Sequence, residues 1–119
     1  MTRYERAAQL WSLLIFAARS QQILSYSMVE KLTGLPKVGV ADFLSPIQRY
    51  CEKHQLPPLT ALVVNEKTGE PGSGFHRRDD VFNAQASVFV YDWLKDSVPT
   101  PEDLQKTDHH TNSAKETGR

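Results

Sequence analysis

Glycine and proline residues divide the middle of this chain, residues 24–75, into short segments. Gly34 suits the position just after a helix end, and Pro36 prevents that helix from continuing. The pair Pro57-Pro58 excludes a helix from the segment that follows it. Residues 65–74 then hold three glycines and one proline, a composition typical of a turn or loop. These breaks leave room for short helices followed by a β-hairpin.

The segment before Gly34 predicts a short helix that begins at about Ser25 or Ser27 and ends at Leu32. Ser27, followed three residues later by Glu30, forms a capping-box pattern. Three apolar residues give this helix a side to bury: Met28, Val29 and Leu32.

The region after Gly34 predicts two further helical pieces. The apolar cluster at 38–44 is long enough for one or two helical turns. The sequence Ser45-Pro46-Ile47-Gln48 combines a serine cap, a proline at the first helical position and a glutamine at the third. We therefore expect a new or kinked helix from Pro46 to about His54.

The β-branched and apolar run Leu59–Val64 predicts a strand, and Phe75 is expected to begin a short return strand beyond the loop. Three to four short helices followed by such a hairpin predict a winged-helix-like core. The expected fold class is α+β, mainly α, with this core flanked by a long N-terminal and a long C-terminal helix.

Both flanking helices are indicated by apolar periodicity. Residues 4–20 lack glycine and proline, and their apolar stripe is so wide that this helix needs partners on more than one face. Residues 81–94 predict the second helix. Four of its residues follow the i, i+4, i+7, i+11 rule of a buried face: Phe82, Ala86, Phe89 and Trp93. We expect the two helices to pack on each other, and they also offer an interface for a homodimer.

A change of composition after Lys95 places a domain boundary there. Residues 1–95 are then a single winged-helix-like domain, and residues 96–119 a polar, flexible C-terminal tail. From Glu102 onward the chain has one large apolar residue, Leu104, which cannot offset the entropy cost of ordering the segment. We expect Thr107–Arg119 to be mobile.

Hydropathy, cysteine content and net charge limit the functions that the chain can have. The apolar run 10–18 is about half the roughly 20 residues that a membrane span needs, and its flanks do not match a secretory signal. A cytoplasmic protein without a membrane partner is therefore expected. One cysteine excludes an internal disulfide and a multi-cysteine zinc site. The formal net charge is +0, so any contact with DNA requires a local basic patch.

The helix–turn–helix interpretation places cationic and amide side chains on one exposed surface, where they can contact the phosphates and base edges of double-stranded DNA. The candidates are Lys37, Gln48, Arg49, Lys53 and His54 on the helices, Lys67 and Thr68 at the loop tip, and Arg77 and Arg78 at its base. The alternative is a plain solvated surface. Five acidic residues dilute its positive field: Glu52, Glu66, Glu70, Asp79 and Asp80.

Several short motifs follow one another in a distinctive order: Tyr26-Ser27, Gly34-Leu35-Pro36, Pro57-Pro58, Val63-Val64, then Gly69, Gly72 and Phe75. This order resembles the winged-helix DNA-binding domain of the alkylguanine-DNA alkyltransferase and alkyltransferase-like family. The resemblance spans residues 26–75 and implies minor-groove DNA binding and base flipping.

The chain departs from that family where its chemistry takes place. The family has a Pro-Cys-His-Arg motif just before the valine pair, and this chain has Leu59-Thr60-Ala61-Leu62 there. The family's arginine finger lies in an Arg-Ala-Val-Gly motif, to which Lys37-Val38-Gly39-Val40 corresponds at best. Alkyl transfer is therefore not implied. What remains is a winged-helix shape, which also serves protein–protein contacts.

Other arrangements of reactive residues favour structural roles. Cys51 and His54 lie three residues apart on one predicted helix, but no third group orients them as a nucleophile pair. Asp108 with His109-His110 has metal-binding side chains, although such a pair in a polar tail is usually adventitious. Loop carboxylates such as Glu66 lack a converging histidine or lysine for a two-metal centre. We expect no cofactor, no metal and no enzyme activity.

Two functional hypotheses follow. The first is a non-enzymatic DNA-binding winged-helix protein, a candidate regulator. The alternative is a protein–protein interaction module on the same fold, an adaptor or inhibitor from a mobile element or a defence system. Balanced charge, the very apolar N-terminal helix and a polar tail able to fold on a partner motivate the alternative.

Overall fold

The computed structural model describes residues 2–71 and 80–108. Its elements, in order, are α1 (Arg3–Arg19), β1 (Leu24–Ser25), α2 (Tyr26–Thr33), α3 (Lys37–Lys53), a 3₁₀ turn (Leu59–Leu62), β2 (Val63–Val64) and α4 (Val81–Val90). Residues 101–108 are also helical and are called α5. The fold is α+β and mainly α, as predicted. No helix in the described ranges is long and apolar enough to cross a membrane.

Helix α1 lies at the centre of the core. It begins at a capping box, in which the Thr2 hydroxyl accepts from the Glu5 amide at 3.1 Å and the Glu5 carboxylate accepts from the Thr2 amide at 2.8 Å. Seven of its residues are buried, and it packs against α3, the 3₁₀ turn and α4. The prediction of a helix with partners on more than one face is confirmed.

Helix α2 begins at the earlier of its two predicted starts. Ser25 is the N-cap, and its hydroxyl accepts from the Met28 amide at 3.1 Å. The hydroxyl of Ser27, which the capping-box pattern favoured, donates instead to the carboxylate of Glu66 in the loop after β2. The long-range contact therefore replaces the local one.

The end of α2 is set by Gly34, whose φ of 77° lies in the left-handed region that favours glycine. Its amide donates to the Glu30 carbonyl at 2.7 Å. Within the helix Val29 is fully buried, but Met28 and Leu32 are 48% and 59% exposed. The predicted helix is confirmed, and its predicted buried side is corrected for these two residues.

Helix α3 is continuous, so the predicted new start at Pro46 is wrong. A proline inside a helix cannot donate to the carbonyl four residues earlier, which here belongs to Asp42. That carbonyl accepts instead from the Arg3 guanidinium of α1 at 3.2 Å. Because a neighbouring helix supplies the missing donor, α3 passes through Pro46 without ending.

The strand predicted at 59–64 is mostly a 3₁₀ turn. The Ala61 amide donates to the Pro58 carbonyl at 2.9 Å, and only β2 pairs, in parallel, with β1. The four residues of the 3₁₀ turn are buried and pack against α1, α3 and α4. Because β1 has only two residues, it offers pairing partners for Val63-Val64 and not for Leu59–Leu62, whose conformation is decided by packing against the helices.

A tight turn follows β2 and leads to Pro71, which forms an antiparallel bridge with Val64. The side chain of Asn65 accepts from the amides of Lys67 and Thr68 at 2.8 and 3.3 Å, a local arrangement typical of asparagine in turns. The predicted return strand at Phe75 lies outside the described residues.

Helix α4 ends at Val90, whereas the periodicity predicts an end at Leu94. Tyr91 leaves the helix in an extended conformation, with φ −71° and ψ 141°. The turn that follows lets the Trp93 indole donate to the Val88 carbonyl at 2.8 Å. Trp93 then packs edge-on against Trp11 of α1, with ring centroids 5.9 Å apart.

The buried face of α4 also differs from the predicted one. Phe82, expected to face the core, is 88% exposed, and Ala86 is exposed as well. The buried residues of this helix are Ala84, Gln85 and Val88. The side-chain amide of Gln85 donates to the Ala61 carbonyl at 3.0 Å, and this buried hydrogen bond fixes the helix orientation.

The segment predicted as a flexible tail packs on the core over its first part. The Thr100 hydroxyl accepts from the Asp103 amide at 3.1 Å and the Asp103 carboxylate accepts from the Thr100 amide at 3.0 Å, a capping box that starts α5. Three residues of α5 are buried: Leu104, Thr107 and Asp108. The expectation of mobility from Thr107 is therefore corrected for 107 and 108, and residues 109–119 lie outside the described part of the chain.

Candidate nucleic-acid interface

Helices α2 and α3 are joined by Gly34-Leu35-Pro36, a connection of the length found in helix–turn–helix motifs. The Thr33 hydroxyl donates to the Val29 carbonyl at 2.7 Å and accepts from the Leu35 amide at 3.3 Å. These bonds tie the turn to the end of α2. They hold the beginning of α3 at a defined position beside it.

The predicted contact residues of α3 are spread along the whole helix. Lys37 is its first residue and Lys53 its last, so a rise of 1.5 Å per residue places their backbones about 24 Å apart. Gln48 is half-buried, while Lys53 and His54 are exposed. The His54 ring lies 4.3 Å from the Tyr50 ring. Successive residues of an α-helix are rotated by about 100°, so Gln48, Arg49, Lys53 and His54 are spread around more than half of the circumference of α3, and the prediction that they share one exposed surface is corrected.

The guanidinium of Arg49 is already paired within the chain. It binds the carboxylate of Asp108 in α5. The Tyr4 hydroxyl donates to the same carboxylate at 2.6 Å, and the Arg3 guanidinium lies 3.8 Å from it. The Asp108 side chain is 1% exposed and that of Arg49 is 28% exposed. A buried carboxylate thus lies beneath two partly exposed cations.

The protonation states of this cluster follow from its contacts. Burial raises the pKa of the Asp108 carboxyl, but the hydrogen bonds from Tyr4 and Arg49 and the charges of Arg49 and Arg3 together leave that pKa below its ordinary value. Burial, followed by the hydrogen bond to Asp108, raises the pKa of Tyr4. With the Asp42 carboxylate 3.4 Å from Arg3, two cations face two anions, and the cluster is neutral overall.

Lys67 and Thr68 are exposed at the tip of the turn after β2. The hydrogen bond from Ser27 to Glu66 holds this turn against the start of α2. Exposed carboxylates of Glu66 and Glu70 flank Lys67, so the local charge is mixed. Two further predicted contact residues lie outside the described residues: Arg77 and Arg78.

Comparisons of the chain with known protein families, with curated proteins and with solved structures found no match. A functional assignment therefore rests on the geometry of this surface and on its chemistry.

The geometry disfavours the other arrangements of reactive residues. Cys51 is buried, and this burial raises the pKa of its thiol to about 12, so the nucleophilic thiolate is not available at neutral pH. Within residues 2–71 and 80–108, no group of three or more histidine, cysteine or acidic residues is placed to hold a metal ion. The carboxylate of Asp108 is engaged by Arg49, and His109-His110 lies outside the described residues.

Sequence reasoning missed the cluster around Asp108. This residue is 104 positions from Tyr4 and 59 from Arg49, separations that no local pattern connects. One local signal was available. A continuous helix through Pro46 requires an outside donor for the Asp42 carbonyl, which points to a cation on a neighbouring element.

Proposed function

We propose that this chain is a non-enzymatic DNA-binding protein of the winged-helix type, a candidate regulator. One observation carries the proposal. The α2–turn–α3 unit is followed by β2 and a closed turn, and the bond from Ser27 to Glu66 keeps that turn beside α2. In this proposal α3, the helix after the turn, and the loop tied to the start of α2 are the two elements that contact a duplex groove and its adjacent phosphates.

In this proposal the residues divide by chemistry. Cationic side chains contact phosphates, and amide or hydroxyl groups contact base edges or sugars. The phosphate contacts are Lys37, Lys53, His54 and Lys67, with Arg77 and Arg78 at the base of the wing. Gln48 and Thr68 are the polar contacts. The resemblance to the alkyltransferase-like DNA-binding domain supports the same use of the surface and favours the minor groove.

The proposal is tested with the full chain and a fluorescent duplex of about 20 base pairs at about 50 mM salt, where phosphate contacts are strongest. The double variant Lys53→Glu, Lys67→Glu should bind at least about tenfold more weakly because two attractive charges become repulsive. Lys95→Glu is the control for a single charge reversal elsewhere, since Lys95 is exposed but follows α4. Equal losses in the two proteins would refute the assigned surface, and no binding by the unmodified chain would refute the function.

A protein–protein interaction module is the second candidate, and exposed apolar side chains favour it. Phe82 and Val90 are 88% and 83% exposed, and their spacing of eight residues places them on the same side of α4. Exposed apolar surface of this kind often marks a protein interface.

This second candidate has its own test. Sedimentation velocity of the unmodified chain and of Phe82→Ser, Val90→Ser would reveal self-association through α4. A pull-down from nuclease-treated lysate then tests for a partner other than a second copy of the chain. The interaction module is excluded if two results are obtained together. The unmodified chain is monomeric, and every protein that it retains from the lysate in stoichiometric amount is also retained by the double variant.

A further inference from the structure

We propose that α5 is an autoinhibitory strap, in which Asp108 occupies a phosphate-binding site formed by Arg3, Tyr4 and Arg49. Duplex DNA must displace this carboxylate before its own phosphate can bind there. The inference rests on the proposed DNA-binding function and adds a regulatory step to it. We call the three donors the anion site.

The anion site has the chemistry of a phosphate site. It combines two guanidinium groups with one hydroxyl, the donors that proteins use most often for phosphate oxygens. Arg49 and the Tyr4 hydroxyl, at 2.6 Å, bind the carboxylate directly. A phosphate oxygen is an anionic acceptor of the same kind.

The carboxylate fills this site incompletely. Its nearest approach to Arg3 is 3.8 Å, which is too long for a hydrogen bond. The Arg3 Nε is buried, and among the described residues no group accepts its hydrogen bond. The two non-bridging oxygens of a DNA phosphate lie farther apart than the two oxygens of a carboxylate, so one phosphate can bond Arg49 and Arg3 together.

The position of Arg49 joins the anion site to the proposed DNA surface. Arg49 lies one helical turn before Lys53 on α3, so the two side chains are neighbours. While Asp108 is in place, Arg3 and Arg49 are balanced by Asp42 and Asp108. Removal of the carboxylate leaves an excess positive charge next to Lys53. An incoming phosphate is then attracted both by this charge and by Lys53.

The strap is held by few apolar contacts. Leu104 is the large apolar side chain that α5 buries in the core, and the other buried side chains of α5 are the polar Thr107 and Asp108. Leu104 is therefore the main apolar side chain that detachment of α5 exposes, and an anion that replaces Asp108 compensates for the lost ion pair.

The test compares three full-length variants with the unmodified chain on the same fluorescent duplex. Asp108→Asn removes the competing charge, and Leu104→Ser loosens the strap without changing any charge. Both should bind DNA at least about fivefold more tightly. Glu102→Gln is the control, because Glu102 is exposed on α5 and loses the same charge outside the anion site. It should change affinity less than about twofold.

Two further measurements separate displacement from other effects. Adding Arg49→Gln to Asp108→Asn should cancel the gain, since the released guanidinium is its source. Amide hydrogen exchange of residues 101–108 in the unmodified chain should accelerate when duplex DNA is bound. This second measurement needs no variant and decides the matter even if a substitution impairs folding.

The outcomes distinguish the inference from the function on which it rests. Suppose that the unmodified chain binds DNA, that Asp108→Asn and Leu104→Ser bind it with the same affinity as the unmodified chain, and that DNA does not change the hydrogen exchange of residues 101–108. The strap is then refuted and the DNA-binding function stands. If Asp108→Asn binds DNA more tightly and Leu104→Ser does not, the effect is one of charge alone, and displacement of α5 is also refuted. The strap is expected to weaken DNA binding and not to abolish it, so absence of binding by the unmodified chain overturns both proposals. If no protein binds, both proposals are overturned.

Discussion

Asp108 joins three helices through a single side chain. Its carboxylate contacts Arg3 and Tyr4 of α1 and Arg49 of α3, while the residue itself lies in α5. A buried carboxylate is stable only when charges and hydrogen bonds replace its lost water. The partners of Asp108 supply both, so this residue is expected to contribute to stability as well as to the control of Arg49.

The first prediction concerns the acid dependence of this contribution. Because the pKa of Asp108 is lower in the folded chain than in the unfolded chain, its stabilisation is fully present above the unfolded pKa of about 4 and is lost as the pH falls through the lower folded value. At pH 7, Asp108→Asn should reduce the free energy of unfolding by about 2 kcal/mol, less than for a wholly buried pair because both arginines retain solvent.

Urea denaturation at several pH values measures this difference. The gap between the unmodified chain and Asp108→Asn should be constant near neutral pH and should narrow below about pH 4. Glu102→Gln, on the same helix, should show no such gap. A difference that is independent of pH down to pH 2 would contradict a stabilising role for the ionised carboxylate.

Single residues also show why parts of the candidate site were not predictable. The side-chain types at Lys53, His54, Lys67 and Thr68 indicated exposure, and these residues are exposed. Arg49 has the same local signature, yet it is paired with a residue of α5. Sequence spacing within a helix gives neighbours three and four residues away, and carries no information on partners from distant segments.

At the scale of elements, the turn between α2 and α3 provides the second prediction. Gly34 has a φ of 77° and open space around its missing side chain, so Gly34→Ala should cost about 1 kcal/mol from backbone strain alone. Gly39 lies inside α3, where an added methyl group meets Pro36 at 3.4 Å and Phe43 at 3.6 Å, which is ordinary contact. Gly39→Ala should therefore leave stability unchanged or raise it by up to about 1 kcal/mol.

Thermal denaturation of the two alanine variants tests this contrast directly, because each substitution adds the same single methyl group. The melting temperature should fall for Gly34→Ala only. Equal destabilisation of both proteins would mean that α3 does not begin or continue as described.

The orientation of α4 provides the third prediction. Val88 is fully buried and Phe82 is 88% exposed, although the periodicity predicts Phe82 on the inner face. Val88→Ala should destabilise the chain by about 2 kcal/mol, whereas Phe82→Ser should change stability by less than about 0.5 kcal/mol. Chemical denaturation measures both. A larger loss of stability for Phe82→Ser than for Val88→Ala would support the orientation predicted by the periodicity, with Phe82 facing the core.

Elements were predictable to the extent that local forces decide them. Apolar periodicity identified α1 and α4, and Gly34 with Pro36 marked the break between α2 and α3. The face that a helix buries, the passage of α3 through Pro46 and the 3₁₀ turn at Leu59–Leu62 depend on neighbours supplied by the fold. Local pattern cannot determine them.

At the scale of the whole molecule, the balance of charge shapes the functional account. The chain has a formal net charge of +0, and the described part of the candidate surface mixes lysines with carboxylates. The proposed DNA binding therefore depends on the specific placement of a few cations rather than on a strong overall field. Binding should accordingly be weak and sensitive to salt.

The salt dependence of duplex binding tests the central claim most directly. If Lys37, Lys53, His54, Lys67, Arg77 and Arg78 contact phosphates, a plot of log affinity against log salt for the full chain should be linear with a slope of about −5, and Lys53→Glu, Lys67→Glu should flatten it by about 2. Lys95→Glu should keep the original slope. Absence of binding at about 50 mM salt, or an affinity that does not change with salt, would contradict a DNA-binding function.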